Sequence, residues 1–324
     1  MIKLESNGAP FSSCSDRFNQ TGYRKGIGLL ETFERLHEIK GLNGTGLMCP
    51  LEYESLDYVR ARYAAYGWQV GTVCPDTYMS PEWGDGSLMN RDSGIRRHQI
   101  DLFKQSMDLA AEFPGSDVLL WLANDGYDYP FEDDYARRWD LLMDALSELA
   151  EYRSDVRLSL EYKMKEPRTH QYVSNYGKAL FICEKLKYDN LGVVVDIGHS
   201  LFAGENPAEA VAITGKYNRL FHVHLNDNYR SWDDDLIFGS IHFWETLEMF
   251  YVLKNMNYDG WMSLDIWPAR GDGFKALQES VDRVYMFADI VEKLPHSEIA
   301  RMQAKNETAD ILKIVRQHSI NSAL

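Results

Sequence analysis

The sequence predicts a (β/α)8 TIM barrel, on three observations. An apolar run, a polar loop and an amphipathic stretch follow one another seven or eight times, at 25–40-residue spacing, along 324 residues. No low-complexity linker or shift in composition breaks the alternation. No GxGxxG motif follows an apolar run, so an open doubly wound sheet lacks its usual dinucleotide-binding loop. Alternation of this kind builds a parallel sheet, eight units close it, and a chain of this length suits one such barrel.

The expected strands come in order. The first, near 2–12, carries the faintest signal, and GTGLMCP (44–50), WQVGTVC (68–74) and DVLLWLA (117–123) follow. VRLSLE (156–161), GVVVD (192–196), LFHVHLND (220–227) and WMSLDIW (261–267) complete the set. They are short and nearly continuous in apolar residues, as strands buried on both faces must be. The expected helices are 29–39, 57–67, 98–113, 134–152, 175–186, 207–217, 243–256 and 273–294. In each, apolar residues recur every three to four positions, which gives a helix one buried face. Residues 1–295 then form the barrel, and 296–324 an extra C-terminal amphipathic helix that covers it or meets another subunit.

Composition narrows the functional classes. With 49 acidic against 34 basic residues the formal net charge is −15, which opposes nonspecific binding to nucleic acid or an anionic membrane. Cys14, Cys49, Cys74 and Cys183 lie far apart without CxxC spacing, as expected of thiols in a reducing compartment. No apolar run approaches the length of a membrane span, and the first residues lack a signal-peptide core, so the cytoplasm is the expected location.

Four consecutive strands end on residues that bind metals: Glu161, Asp196, His224 and Asp265, separated by 35, 28 and 41 residues. Each gap is about one βα unit, so the four side chains meet at the C-terminal face, where barrel enzymes keep their chemistry. A single acid there would serve as a helix cap. Four in register make a cage, and three carboxylates with an imidazole suit Mg²⁺ or Mn²⁺, with Co²⁺ as an alternative. A second set adjoins it. His199 follows Asp196 by three residues in DIGHS, and Asp233 and Asp235 in DDDL face one way if extended, so Asp196, His199, Asp233 and Asp235 would hold a second ion. The competing reading is a solvated acidic loop. His222, two residues before His224, is expected deeper inside the barrel.

These residues carry a resemblance. EYKMKEPR (161–168), DIGHS (196–200), HVHLND (222–227), DDDLIFGSI (233–241) and LDIWP (264–268) resemble the xylose isomerase and L-rhamnose isomerase group of xylose isomerase-like TIM barrels, which also include sugar epimerases. WLANDGYDYP (121–130) and GSLMNRDSGIRRHQI (86–100) resemble the rhamnose isomerase side. The resemblance implies one or two divalent ions, Mn²⁺ foremost, and aldose–ketose interconversion by a metal-assisted hydride shift. It implies that Glu161, Asp196, His224 and Asp265 hold one ion, and Asp196, His199, Asp233 and Asp235 a mobile one. By the same resemblance Lys163 polarises the substrate carbonyl, Trp121 walls the pocket and Asp125 meets a sugar hydroxyl; Glu161 or His199 would serve as the base if only one ion binds, and Trp267 fits stacking against a sugar face. Trp83, Tyr127 and Tyr129 are further aromatic candidates. The expected partner is a small sugar, with a homo-oligomer as the usual assembly.

One departure from the family pattern stands out. Where relatives have a ring-opening histidine after the second strand, this chain reads CPLEYE (49–54), leaving Cys49, Glu52 or Glu54 as substitutes. An epimerase, or a lyase working through an enediolate, is therefore the alternative. The large subunit of C-glycoside deglycosidases is an example that would sit in a hetero-complex. A phosphodiesterase would want a basic face, which the charge denies. A non-catalytic binder would have no use for Lys163 beside the cage.

Overall fold

The computed structural model describes residues 2–16, 19–166 and 169–321. Eight parallel strands close into a barrel: β1 (Lys3–Ser6), β2 (Gly44–Cys49), β3 (Gln69–Pro75), β4 (Asp117–Trp121), β5 (Arg157–Glu161), β6 (Leu191–Asp196), β7 (Leu220–Leu225) and β8 (Trp261–Leu264). Each pairs with its neighbours in chain order, and β1 closes the ring against both β8 and β2. The (β/α)8 expectation is met strand by strand, including the faint first one.

Eleven α-helices occur among the described residues: α1 (Leu29–Glu38), α2 (Leu56–Tyr66), α3 (Ser93–Ala111), α4 (Tyr135–Tyr152), α5 (Tyr176–Leu186), α6 (Ile197–Phe202), α7 (Pro207–Lys216), α8 (Phe243–Asn255), α9 (Gly273–Lys293), α10 (His296–Gln303) and α11 (Thr308–Asn321). Ser55, Asp92, Asp134, Asn175, Asn206 and Asp272 cap helix N-termini by accepting backbone N–H groups. Each such cap contributes about 1 kcal/mol. In the 90–97 segment Asp92 caps α3 and Arg91 pairs with Asp85 and Asp133, so that basic stretch is structural.

β6 is buried at every position, the consequence of helices covering the sheet's outer face while side chains fill its interior. That interior is partly polar. Glu5 accepts from the Thr72 and Ser263 hydroxyls, both at 2.7 Å, and His222 lies 2.7 Å from Ser263 Oγ and 3.2 Å from Asp117. His222 is thus inside the barrel.

Three features were not foreseen. The extra C-terminal helix is two helices, because Asn306 turns the chain with a left-handed φ of 58°. Ile299 and Met302 of α10 are buried, and Ile311 and Val315 of α11 pack partly against the core. Residues 322–324 lie outside the described residues, as do Pro167 and Arg168 of the EYKMKEPR stretch. The short α6 begins directly at the end of β6. A small antiparallel sheet of Gly126–Tyr127, Thr169–Gln171 and Lys165–Glu166 stands at the barrel mouth.

Candidate metal centre

The C-terminal ends of β5, β6, β7 and β8 deliver Glu161, Asp196, His224 and Asp265 to one point. One ligand atom from each lies within 4.8 Å of all the others, the arrangement of a group that could hold a metal ion. His224 Nδ1 is 3.0 Å from Glu161, 3.9 Å from Asp196 and 3.7 Å from Asp265. Adjacent parallel strands in matched register place their ends at one level. His224 pairs with Asp196 across β7–β6, and Asp265 N–H donates to the Leu225 carbonyl.

Asp196 has two duties. Its Oδ1 accepts the His199 N–H at 2.8 Å and so caps α6, while its Oδ2 accepts from Asn226 Nδ2 at 2.9 Å. The same Asn226 amide donates to Asp235 at 3.1 Å, and Asn7 donates to Asp265 at 3.3 Å. These two asparagines orient ligands and were missed in the sequence. Asn226 could have been found, since it follows His224 by two residues and shares its strand face.

The electrostatics are those of too much negative charge in too little water. Burial, reinforced by Glu161 and Asp233, pushes Asp196 up to about 7. Burial and neighbouring carboxylates also raise Asp265 and Asp235. Burial alone would lower the imidazoles, but the acids around them prevail, taking His199 to about 9 and His224 to about 10. His224 in turn holds Glu161 below the usual range against the effect of burial.

His199 Nδ1, Asp233 Oδ1 and Asn226 Oδ1 are buried without a hydrogen-bond partner. His199 Nδ1 is 3.3 Å from Glu161 Oε1, but out of line for a hydrogen bond. Crowded buried acids and three oxygens with one nitrogen at the focus fit a divalent cation.

The second predicted set is arranged differently. Asp233 lies 2.7 Å from Lys163 Nζ and 3.3 Å from His199 Nε2, and these cations keep it well below the ordinary carboxylate range despite burial. Asp235 takes a left-handed φ of 45°, so the segment is not extended, and its carboxylate sits on Asn226. Among the described residues only the first set forms a cluster of the metal-binding kind. Lys163 also pairs with Glu166, its third anchor being the Trp121 ring, whose centroid is 5.4 Å away.

A cavity of about 760 Å³ opens above the cluster, lined by Glu161, Lys163, His199, His224, Asp233, Asp235 and Asp265, and walled by Trp121 and Trp267. Trp83, Tyr127 and Tyr129 are not among its lining residues; Trp83 packs on His98 and Tyr127 lines a separate surface pocket. Asp125 is placed elsewhere too. Its carboxylate is 2 % exposed and accepts from Ser87 N–H, Ser87 Oγ, Leu88 N–H and Met89 N–H, so it pins the 86–90 loop instead of facing sugar. Of the three groups considered for ring opening, Glu52 lines the cavity, whereas Cys49 is buried and Glu54 is exposed away from it.

No helix among the described residues is long and apolar enough to cross a membrane. The family model of the xylose isomerase-like TIM barrel matches residues 33–286. A xylose isomerase of Thermus thermophilus is 28% identical over 228 residues, which are 68% of this chain and 57% of that protein, so the chain spans little more than half of that relative. A D-tagatose 3-epimerase-like protein superposes with a TM-score of 0.69 at 21% identity, over 90% of this chain and 99% of that one. An L-ribulose 3-epimerase gives 0.71 at 15% identity, over 90% and 96%. A 3-keto-D-glucoside 4-epimerase from E. coli gives 0.65 at 18%, over 88% and 99%. At such identities these structures establish the fold.

Proposed function

Because the chain belongs to the xylose isomerase-like TIM barrel family, we propose that it is a divalent-metal sugar epimerase or isomerase that moves a proton next to the carbonyl of a keto sugar. The named relatives are sugar isomerases and epimerases. The observation that carries the reading is the four-residue cluster, the only one among the described residues, at the floor of a large cavity with a buried ammonium beside it. One ion suits proton transfer through an enediolate. Direct hydride migration asks for two, and the second set is engaged by Lys163 and Asn226 instead.

Glu161, Asp196, His224 and Asp265 would hold Mn²⁺, with Mg²⁺ or Co²⁺ as alternatives. A bound ion supplies Lewis acidity toward substrate oxygens. The chain's own residues do the rest. A Glu161 carboxylate oxygen accepts the proton from the carbon next to the carbonyl. Lys163 Nζ donates a hydrogen bond to the carbonyl oxygen, where charge develops, and a preformed donor of this kind lowers the barrier without reorganising. The His199 imidazole returns a proton to the enediolate. Trp121 walls off water and orients the sugar face.

A second reading, the two-ion hydride shift, is favoured by the unpartnered Asp233 Oδ1 and His199 Nδ1. One experiment separates them. Metal-loaded protein is incubated with a panel of aldoses and keto sugars in D₂O, and product is analysed by NMR. Deuterium at the carbon next to the carbonyl supports proton transfer, and unlabelled product puts hydride shift first. A protein that binds no divalent metal and turns over none of the panel refutes both.

A further inference from the structure

Away from the barrel cavity, the loop DYPFEDD (128–134) leads into α4 with Phe131 fully exposed at its tip. Phe131 takes a φ of 68°, in the left-handed region where a bulky side chain is strained. No packing of the ring on its own chain offsets that strain. The loop is nonetheless firmly held. Glu132 accepts the N–H groups of Asp128 and Tyr129, both at 2.7 Å. Arg91 donates to the Glu132 carbonyl at 3.2 Å and to Asp133 at 2.9 Å, and Thr169 donates to Asp128 at 2.8 Å. A loop tied down on both sides of an exposed phenyl ring presents that ring as a fixed knob.

Beside the knob is a hole. A surface pocket of about 450 Å³ is walled by Tyr127, Tyr135, Trp139 and Tyr172. Tyr127 and Tyr135 stand at the two ends of the Phe131 loop, so knob and hole share one face. Tyr129 at 71 %, Tyr135 at 46 % and Phe181 at 54 % exposure extend that face, Phe181 meeting Trp139 with centroids 6.3 Å apart. With Phe131 these rings offer about 500 Å² of surface, the size of patch that marks a site of association. Counted on two copies that is about 1,000 Å², where specific interfaces begin, before any flanking backbone is added.

We propose that two copies of this chain pair about a two-fold axis, the Phe131 ring of each seated in the aromatic pocket of the other. A patch that carries both knob and hole is complementary to itself, which is what an isologous contact requires. The charges agree. Lys178 and Asp140 line the pocket, and Asp134 and Arg137 stand at the base of the knob, one of each sign on either side. None of the four has an ion pair among the described residues, so each is free to pair across the axis. The pocket also shares a scaffold with the barrel mouth. Gly126–Tyr127 is one edge of the small antiparallel sheet, and Lys165–Glu166, the other edge, carries the Glu166 that pairs with Lys163. A ring seated against Tyr127 therefore braces the support of that ammonium.

The test is the mass of the protein in solution. Light scattering during gel filtration, and sedimentation velocity at about 50 µM, above the Kd expected of a standard-size interface, read it directly. The wild type should show an even multiple of the chain mass. Phe131→Gly should halve that value and leave the circular dichroism unchanged, because glycine adopts a φ of 68° without strain. Ala136→Trp, which fills the pocket and keeps the knob, should halve it as well. A wild-type monomer at this concentration overturns the pairing and leaves the face to a different protein. An unchanged mass in Phe131→Gly means that copies associate elsewhere, and an unchanged mass in Ala136→Trp means that the ring docks outside the pocket; either result overturns the proposal.

Discussion

Asp196→Asn should uncouple metal binding from folding. Asp196 is fully buried, caps α6 through Oδ1 and receives Asn226 through Oδ2. Asparagine keeps the volume and one capping oxygen, but it removes an anionic ligand and sets an NH₂ against the Asn226 NH₂. A ligand at about one hundred times its Kd stabilises the folded state by about 2.7 kcal/mol. At about 2.1 cal/mol/K per residue, a chain of 324 residues unfolds with an entropy of about 0.7 kcal/mol/K. Each kcal/mol therefore moves Tm by about 1.5 °C, and saturating Mn²⁺ should raise the wild-type Tm by about 4 °C. The variant should shift by less than about 1 °C on the same scale. Chelator-treated protein in a scanning calorimeter, with Mn²⁺ added stepwise, gives the answer. An equal rise in the variant, or no rise in the wild type at millimolar Mn²⁺, refutes the cage.

Other expectations follow the same logic. Lys163→Met should lower kcat by about 10²–10³-fold while keeping the Mn²⁺-dependent rise in Tm, since it removes a donor to the carbonyl and no ligand; steady-state kinetics beside thermal melts check both. Glu205 is raised from its ordinary 4.5 to about 7, first by burial and opposed by the Tyr176 N–H and the Tyr162 hydroxyl. The folded state thus keeps a proton that the unfolded chain has released, so stability falls as pH climbs from 4.5 to 7. Glu205→Gln should flatten that decline and gain about 1 kcal/mol at pH 8, after allowance for its partial exposure. Phe287 is fully buried and packs against Phe238, Phe243 and Phe250 between α8 and α9. Phe287→Ala should cost about 3–5 kcal/mol, a fall in Tm of about 4–7 °C by calorimetry.

The barrel was legible because its strands are short apolar blocks and its helices show three-to-four-residue periodicity, both local properties. The first cage was legible for a related reason. A ligand at or next to the last position of each strand is visible wherever the strand end is visible: Glu161 and Asp196 occupy that position, His224 stands one residue before it and Asp265 one after it. What stayed hidden depends on contacts distant in sequence. Asp125 looked like a sugar-binding acid in an exposed loop, yet the 86–90 segment folds over it and uses its whole carboxylate. Asp233 was read with Asp196, His199 and Asp235 as a second set, and its bond to Lys163, which arrives from another strand's loop, could not be seen in the sequence. The break between α10 and α11 turns on one asparagine in the left-handed region, which helical periodicity on either side conceals. Asn7 contacts Asp265 only because the ring closes β1 onto β8.

If the cluster holds a divalent ion as proposed, the bond between Lys163 and Asp233 has a consequence for how the protein responds to added metal. A second ion that took Asp233 through both oxygens would have to displace the Lys163 ammonium from Oδ2, Oδ1 having no partner. On the proposed function, filling the cage and overfilling the mouth would then be opposed events, the first enabling turnover and the second taking its lysine out of position. Activity plotted against manganese should climb, crest and decline, and the crest marks where a single carboxylate oxygen changes allegiance.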